Sequence, residues 1–223
     1  MLAHEEVLSP EDPAGDETSS RRIASVTDVL IIRPYCDSDE RSWVVCRVLS
    51  FLETGFFDDI RRSKERYEHE AIELVAEIDG EIVGLIDVEC ESEPGTICED
   101  RPDLGGMIWH LAVHPDRQRR GVATRLLREA ELLARDRGLA RLEAWTRDDP
   151  ATRAWYESRG FCHVQSYLNV FIEFDEGVRD LFPVTADGLR PVRVFAHALG
   201  DPEQMRKRFR RVHENVLYEL PLV

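Results

Sequence analysis

The chain has 223 residues, 43% of them apolar and 8% aromatic, which is enough for one filled domain and too apolar for a wholly disordered one. Its 29 basic and 44 acidic residues give a formal net charge of -15, which argues against a general nucleic-acid binder or a protein of anionic membrane surfaces and suits a cationic partner. No stretch approaches the ~20 apolar residues of a membrane-spanning helix.

Residues 1–28 carry seven acids, two arginines and few large apolar groups. They predict a loose acidic tail, without the basic start and apolar run of a secretory leader. Leu30–Arg33 reads as a strand stopped by Pro34, and Asp39–Leu49 as a helix with acids in its first turn. Phe56–His69 is expected to be a second, irregular helical piece. Ile72–Ile78 and Glu81–Glu89 are strands joined by Asp79-Gly80, a dipeptide suited to a two-residue hairpin. Ser92–Gly106 is a polar loop, and Met107–Val113 a strand ended by His114-Pro115.

Gly121–Arg137 is the clearest helix. Val122, Leu126, Leu127, Ala130, Leu133 and Ala134 form one apolar face, and Gly138 closes it. Arg141–Thr146 is a short strand. Asp149-Pro150 supplies an N-cap and first-turn proline for a helix ending at Gly160. His163–Phe174 is a strand. Beyond it, Pro191–Ala198 reads as a strand, Pro202–Arg211 as a helix and Glu214–Leu220 as a terminal strand. Paired strands followed by strand–helix–strand–helix–strand predict an α/β (α+β) mixed sheet with helices on both faces.

The five cysteines are widely spaced and odd in number, so a reduced, cytoplasmic setting is expected. His110 and His114 stand four apart where a strand runs into a loop, with no third ligand in view, so no metal site is expected.

Gln118-Arg119-Arg120-Gly121-Val122-Ala123-Thr124 joins a strand end to the long helix. Small residues at 121 and 123 let backbone approach a ligand, and the first helical amides lack internal partners. Together they suit a pyrophosphate. The loop lacks the three glycines of a dinucleotide fingerprint and the Gly-Lys-Ser/Thr of a P-loop. Alone, it is as readily a plain turn with solvated arginines.

Its setting adds to it. Leu111-Ala112-Val113-His114-Pro115 precedes the loop, and Arg153-Ala154-Trp155-Tyr156-Glu157-Ser158-Arg159-Gly160-Phe161 ends the next strand–helix unit. This combination resembles the GNAT superfamily, the GCN5-related N-acetyltransferases, in its Q/R-x-x-G-x-G/A motif and its closing Tyr-Glu-x-x-Gly-Phe. The resemblance covers about Leu30 to Phe174 and is strongest between Met107 and Phe161.

The resemblance implies a splayed seven-strand mixed sheet with a bulge in Met107–Val113, and acetyl-CoA as cosubstrate. Pantetheine would lie along the Leu111, Ala112 and Val113 backbone, and the pyrophosphate on the amides from Arg119 to Thr124, with Gln118 leading in. Asp149 falls where the family often has an Asn touching pantetheine; its plainer role is helix N-cap, and the two coexist. Residues 29–174 would be the acetyltransferase domain. Residues 175–223 would extend it, inserting a strand and helix before the last strand and shaping the acceptor side or a homodimer contact.

Acetyl transfer needs an amine that has lost its proton, a donor for the developing oxyanion and a proton for the departing thiolate. The resemblance implies the Val113 amide for the second and Tyr156 for the third, against a packing role for that tyrosine. The base is open. The family's Glu aligns with Ala144, so Glu143 serves only if the turn differs in length by one. His110, Glu89 and a water chain are the other candidates.

The expected activity is N-acetyl transfer to a primary amine, small or protein-borne. The alternative is a non-catalytic acyl-CoA-binding sensor. Arg206–Arg211 is a solvated helix face more readily than a nucleic-acid site. The acidity is uneven: Asp116–Arg141 holds eight arginines against four acids, where the phosphates are expected. Only Lys64 and Lys207 are lysines, and an acidic, arginine-rich surface also suits a salt-rich cytoplasm.

Overall fold

The computed structural model describes residues 29–182 and 188–222. The tail predicted over residues 1–28 lies outside them. Eight strands form one sheet: β1 (Ile31–Pro34), β2 (Ala71–Ile78), β3 (Glu81–Cys90), β4 (Gly105–Val113), β5 (Arg141–Thr146), β6 (Cys162–Glu173), β7 (Arg193–Ala198) and β8 (Arg211–Pro221). Their order is β1-β2-β3-β4-β5-β8-β6-β7. Every pairing is antiparallel except β4 with β5. The helices are α1 (Glu40–Phe51), α2 (Val122–Asp136), α3 (Pro150–Ser158), α4 (Val178–Leu181) and α5 (Pro202–Arg208).

The hairpin at Asp79-Gly80 forms as its residues dictate, with φ of 53° and 83°. Pro34 does not stop β1 but pairs with Leu74, which is tolerated because β1 is an edge strand. Phe56–His69 corrects the prediction: it contains no helix. Long-range side chains organise it instead. Arg47 donates to the Asp59 carbonyl at 2.7 Å, and Lys64 reaches Asp87 at 2.9 Å. The seven-strand expectation is corrected to eight. The added strand is β7, on the edge beyond β6, contributed by the C-terminal extension.

Two cores lie on opposite faces. Leu126, Leu127, Ala130 and Ala134 of α2 pack with Leu74, Ile86 and Val88 of the sheet, and Tyr156 and Phe161 join that core. Trp43 and Cys46 of α1 pack with Val75, Leu85 and Ala112 on the other face. A third cluster joins Leu168, Val170 and Ile172 of β6 to Val178 and Phe209. Alternation along β8 puts Val212 on the same side as Val216 and Tyr218, hence on the α2 face. The α1 face of β5, β8, β6 and β7 therefore carries no helix among the described residues.

Gly84 on β3 allows α2 to seat. A Cβ there would stand 2.8 Å from Val122 Cγ1 and 3.1 Å from Leu126 Cδ1. Val122 is stiff at χ1 and cannot yield cheaply. Gly84→Val is expected to cost about 1–3 kcal/mol through overpacking. The measurement is urea unfolding, with the midpoint falling and the slope unchanged.

Candidate active site

Strands β4 and β5 pair only from Gly105↔Arg141 to Ile108↔Ala144, then part. The cause is a bulge. Opposite β3 the register jumps from Asp87↔His110 to Val88↔Ile108, so Trp109 is the extra residue. Its indole is tied outward, donating to Glu89 at 2.8 Å.

The ladder fixes where the amides beyond the bulge point. His114 N–H donates to Val83 O at 2.9 Å, so Ala112 and His110 also face β3. Leu111 and Val113 then turn their N–H groups toward β5, where pairing has ended. These are strand donors left for a ligand.

The loop beyond leaves the first amides of α2 open. Gln118 Nε2 donates to Val113 O at 3.1 Å, drawing the loop back onto β4. Arg119 and Gly121 have φ of 61° and 82°. Left-handed backbone suits Gly121 and is a strained position for Arg119. Gly121 is the N-cap of α2 and offers no side-chain acceptor to the first turn. The opening amides of α2 thus stay available, at the positive end of its dipole. Asp149 caps α3, accepting from Thr152 N at 2.7 Å, and its residue also lines the cleft.

The splay opens into a cleft of about 1290 Å³. Its lining includes Leu111, Ala112, Val113, Gln118, Arg119, Gly121, Val122, Ala123, Thr124, Asp149, Tyr156 and His110; Arg120 is not part of it. Tyr156 is 6% exposed, stacked on Tyr218 at 5.6 Å and edge-on to Phe161 at 4.9 Å. Its hydroxyl makes no hydrogen bond to any described residue. Burial pushes its pKa above the ordinary phenol value, so it stays protonated.

His110 is buried beside Trp43, with ring centroids 5.2 Å apart. Arg47 Nε can only donate, so His110 Nδ1 is the acceptor of their 3.2 Å bond. The proton of the neutral ring is therefore on Nε2, which donates to Glu65. That hydrogen bond, against some burial, holds the Glu65 carboxyl below its ordinary pKa.

Two expected base candidates stand elsewhere. Glu143 is fully buried below the splay, held by Arg141 Nε at 2.8 Å and Glu99 N at 3.0 Å, and does not line the cleft. Strand alternation is the reason: Ala144 faces the core that holds Tyr156, so Glu143 faces away from it. Glu89 borders a separate hollow with His69 and Trp109. Burial opposes its ionisation, but hydrogen bonds from the His69 amide and Trp109 indole outweigh it and lower its pKa.

Sequence reasoning missed Arg47, Glu65, Arg147, Tyr167 and Asn169, all in the cleft lining. Only Arg147, just past the end of β5, carries a local signal: an arginine where the neighbouring strand ends diverge.

Among the described residues, no helix is long and apolar enough to cross a membrane. A family model described as the acetyltransferase (GNAT) family matches residues 36–161. The chain belongs to this family. The fold is similar to ribosomal-protein-S18-alanine N-acetyltransferase from Escherichia coli, at 15% identity and a TM-score of 0.53 over 87% of this chain and 94% of that one. It is also similar to an N-acetyltransferase from Staphylococcus aureus Mu50, at 14% identity and a TM-score of 0.54 over 87% and 99%. A putative GNAT acetyltransferase from Desulfovibrio desulfuricans gives 17% identity and a TM-score of 0.50 over 87% and 100%. At these identities the likeness is one of fold. A search of curated protein sequences gives no match.

Proposed function

We propose that the protein moves an acetyl group from acetyl-CoA directly to a primary amine. The observation that carries this reading is the parted end of β4 and β5, with two strand amides turned into the gap and, on its wall, a protonated tyrosine whose hydroxyl bonds to no described residue. Acetyl-CoA would supply the activated acyl group as its thioester. Leu111 and Val113 N–H suit pantetheine and the oxygen that gains charge, and the opening amides of α2 suit the pyrophosphate. No cysteine lines the cleft, which favours direct transfer over a covalent relay through the protein.

Tyr156 gives its proton to the departing sulfur. His110 is the base the cleft offers. Glu65 fixes its Nε2–H outward and would steady the imidazolium formed when Nδ1 takes the amine's proton. The incoming amine must displace the Arg47 N–H from Nδ1. His110→Gln is expected to lower kcat by roughly a hundredfold or more, in the range of general-base catalysis. A variant that keeps the wild-type kcat would assign the base elsewhere.

The test of the function is CoA release from acetyl-CoA over a panel of primary amines, with acetyl-CoA affinity measured in parallel. Binding without release from any amine would leave the acyl-CoA sensor as the reading.

A further inference from the structure

The half of the cleft away from Gly121 is floored by the helix-free face of the second half-sheet. Tyr167 sits between Trp145 and His197, with ring centroids at 5.0 and 4.4 Å. Asn215 Nδ2 donates to the Tyr167 hydroxyl at 2.7 Å, which leaves that O–H as a donor toward the cleft. The Asn169 amide beside it is 4% exposed, and its Oδ1 has no partner. Such a floor takes a flat apolar body on its rings and a polar group at its edge.

Arg147 overlooks this floor. It is 8% exposed and lies over the Phe56 ring at 4.2 Å and the Phe171 ring at 5.4 Å. Its guanidinium makes one hydrogen bond to a described residue, from Nη1 to the Gly55 carbonyl, and its buried Nε has none.

The neighbouring cations are each matched. Arg47 holds Asp59 at 2.8 Å, and Arg61 holds Glu65 at 2.7 Å. Arg211 takes both oxygens of Asp58 at 2.6 and 2.8 Å. Asp148 is taken by His213 at 2.8 Å and Arg206 at 3.4 Å. Arg147 is left with Asp58 at 3.9 Å, already committed to Arg211. Burial, with Arg211 nearby, pulls its pKa below the ordinary guanidinium value although three aspartates oppose this. A buried guanidinium with spare N–H groups is best completed by a carboxylate, which it can bind through two parallel bonds.

We infer that the acceptor is an amine that also bears a carboxylate and a flat aromatic body, an aromatic amino acid or close analogue. Its carboxylate pairs with Arg147 and its ring lies on the Tyr167 floor, leaving the amine toward the splay. The assignment rests on the acetyl-transfer reading and names its substrate class. It departs from the cationic partner that net charge suggests, because Asp59, Glu65 and Asp149 of the cleft already have partners.

The experiment uses matched sets: phenylalanine, phenylalaninamide and phenethylamine, with tryptophan and tryptamine, at saturating acetyl-CoA. The free acids should exceed the amide and the plain amines in kcat/KM by roughly tenfold or more, mainly through KM, the scale of one charge-assisted contact. Arg147→Met should bring that ratio near one by weakening the acids alone, and Arg147→Lys should keep part of it. Both variants should bind acetyl-CoA as the wild type does. Equal or better turnover of the amide and plain amines overturns the assignment while leaving acetyl transfer standing; so does a preference that survives Arg147→Met. The wild-type ratios decide even if that variant does not fold. Acetyl-CoA binding without CoA release from any amine overturns acetyl transfer, and this assignment with it.

Discussion

Tyr156→Phe is expected to lower kcat by roughly 10²–10⁴-fold while leaving acetyl-CoA affinity and folding nearly unchanged. The separation of effects follows from the packing. The Tyr156 ring is stacked on Tyr218 and edge-on to Phe161, and phenylalanine reproduces those contacts. Its hydroxyl bonds to no described residue, so its removal leaves no described group unsatisfied. A fall in rate therefore reports the lost proton donor rather than lost structure. The pH dependence sharpens the test. Burial raises the phenol's pKa, so wild-type activity should show no alkaline loss at the ordinary tyrosine value near 10. Thermal melts, acetyl-CoA titration and kcat from pH 6 to 10 check the three parts. A variant with wild-type kcat would reduce Tyr156 to a packing residue and place thiolate protonation on solvent.

What was legible in the chain was whatever is encoded locally. The Asp79-Gly80 hairpin, the apolar stripe of α2 and the Asp149-Pro150 start of α3 each depend on residues a few positions apart. The loop from Gln118 to Thr124 could be read for the same reason. The acceptor side could not. The segment from Thr54 to Glu65 has no period of its own and takes its course from Arg47, Arg147 and Arg211, which lie far from it in sequence or on other elements. Tyr167 and Asn169 sit on a strand of mixed alternation, and their shared face has meaning only once β7 and β8 flank β6. Glu143 shows the opposite error. A one-residue slip on a strand exchanges faces, so a carboxylate that was nearly aligned belongs to another environment altogether.

That environment yields the prediction with the largest effect on stability. Arg141→Met is expected to destabilise the protein by about 3–5 kcal/mol at pH 7, the scale of a buried ion pair broken on one side. Arg141 is 4% exposed and sits among Glu143 at 2.8 Å, Glu219 at 3.8 Å and Glu91 at 3.9 Å. It also donates to the carbonyls of Asp103 at 2.5 Å and Glu99 at 2.7 Å, tying down the loop between β3 and β4. Glu91 completes the knot by accepting the amides of Ile97, Cys98 and Gly105. The knot closes the paired end of β4 and β5, so the parting at Ile108 has a fixed base. Without the guanidinium, Glu143 would be a buried carboxylate with no cation against it, held only by the Glu99 amide. Glu91 depends on the same knot. Burial opposes its ionisation but the three amides prevail, so its folded pKa is lowered. Its stabilisation is present above the unfolded pKa, ~4.3, and is lost as pH falls through the folded value. Arg141 contributes to that lowering, so the gap between variant and wild type should narrow once pH falls below ~4.3, as urea unfolding at pH 7 and about pH 4 would register. Adding Glu143→Leu to Arg141→Met should recover part of the loss at pH 7, since it removes the charge left behind. A single variant as stable as the wild type, or a gap that widens on acidification, would mean that the base of the splay is held by the strand pairing alone.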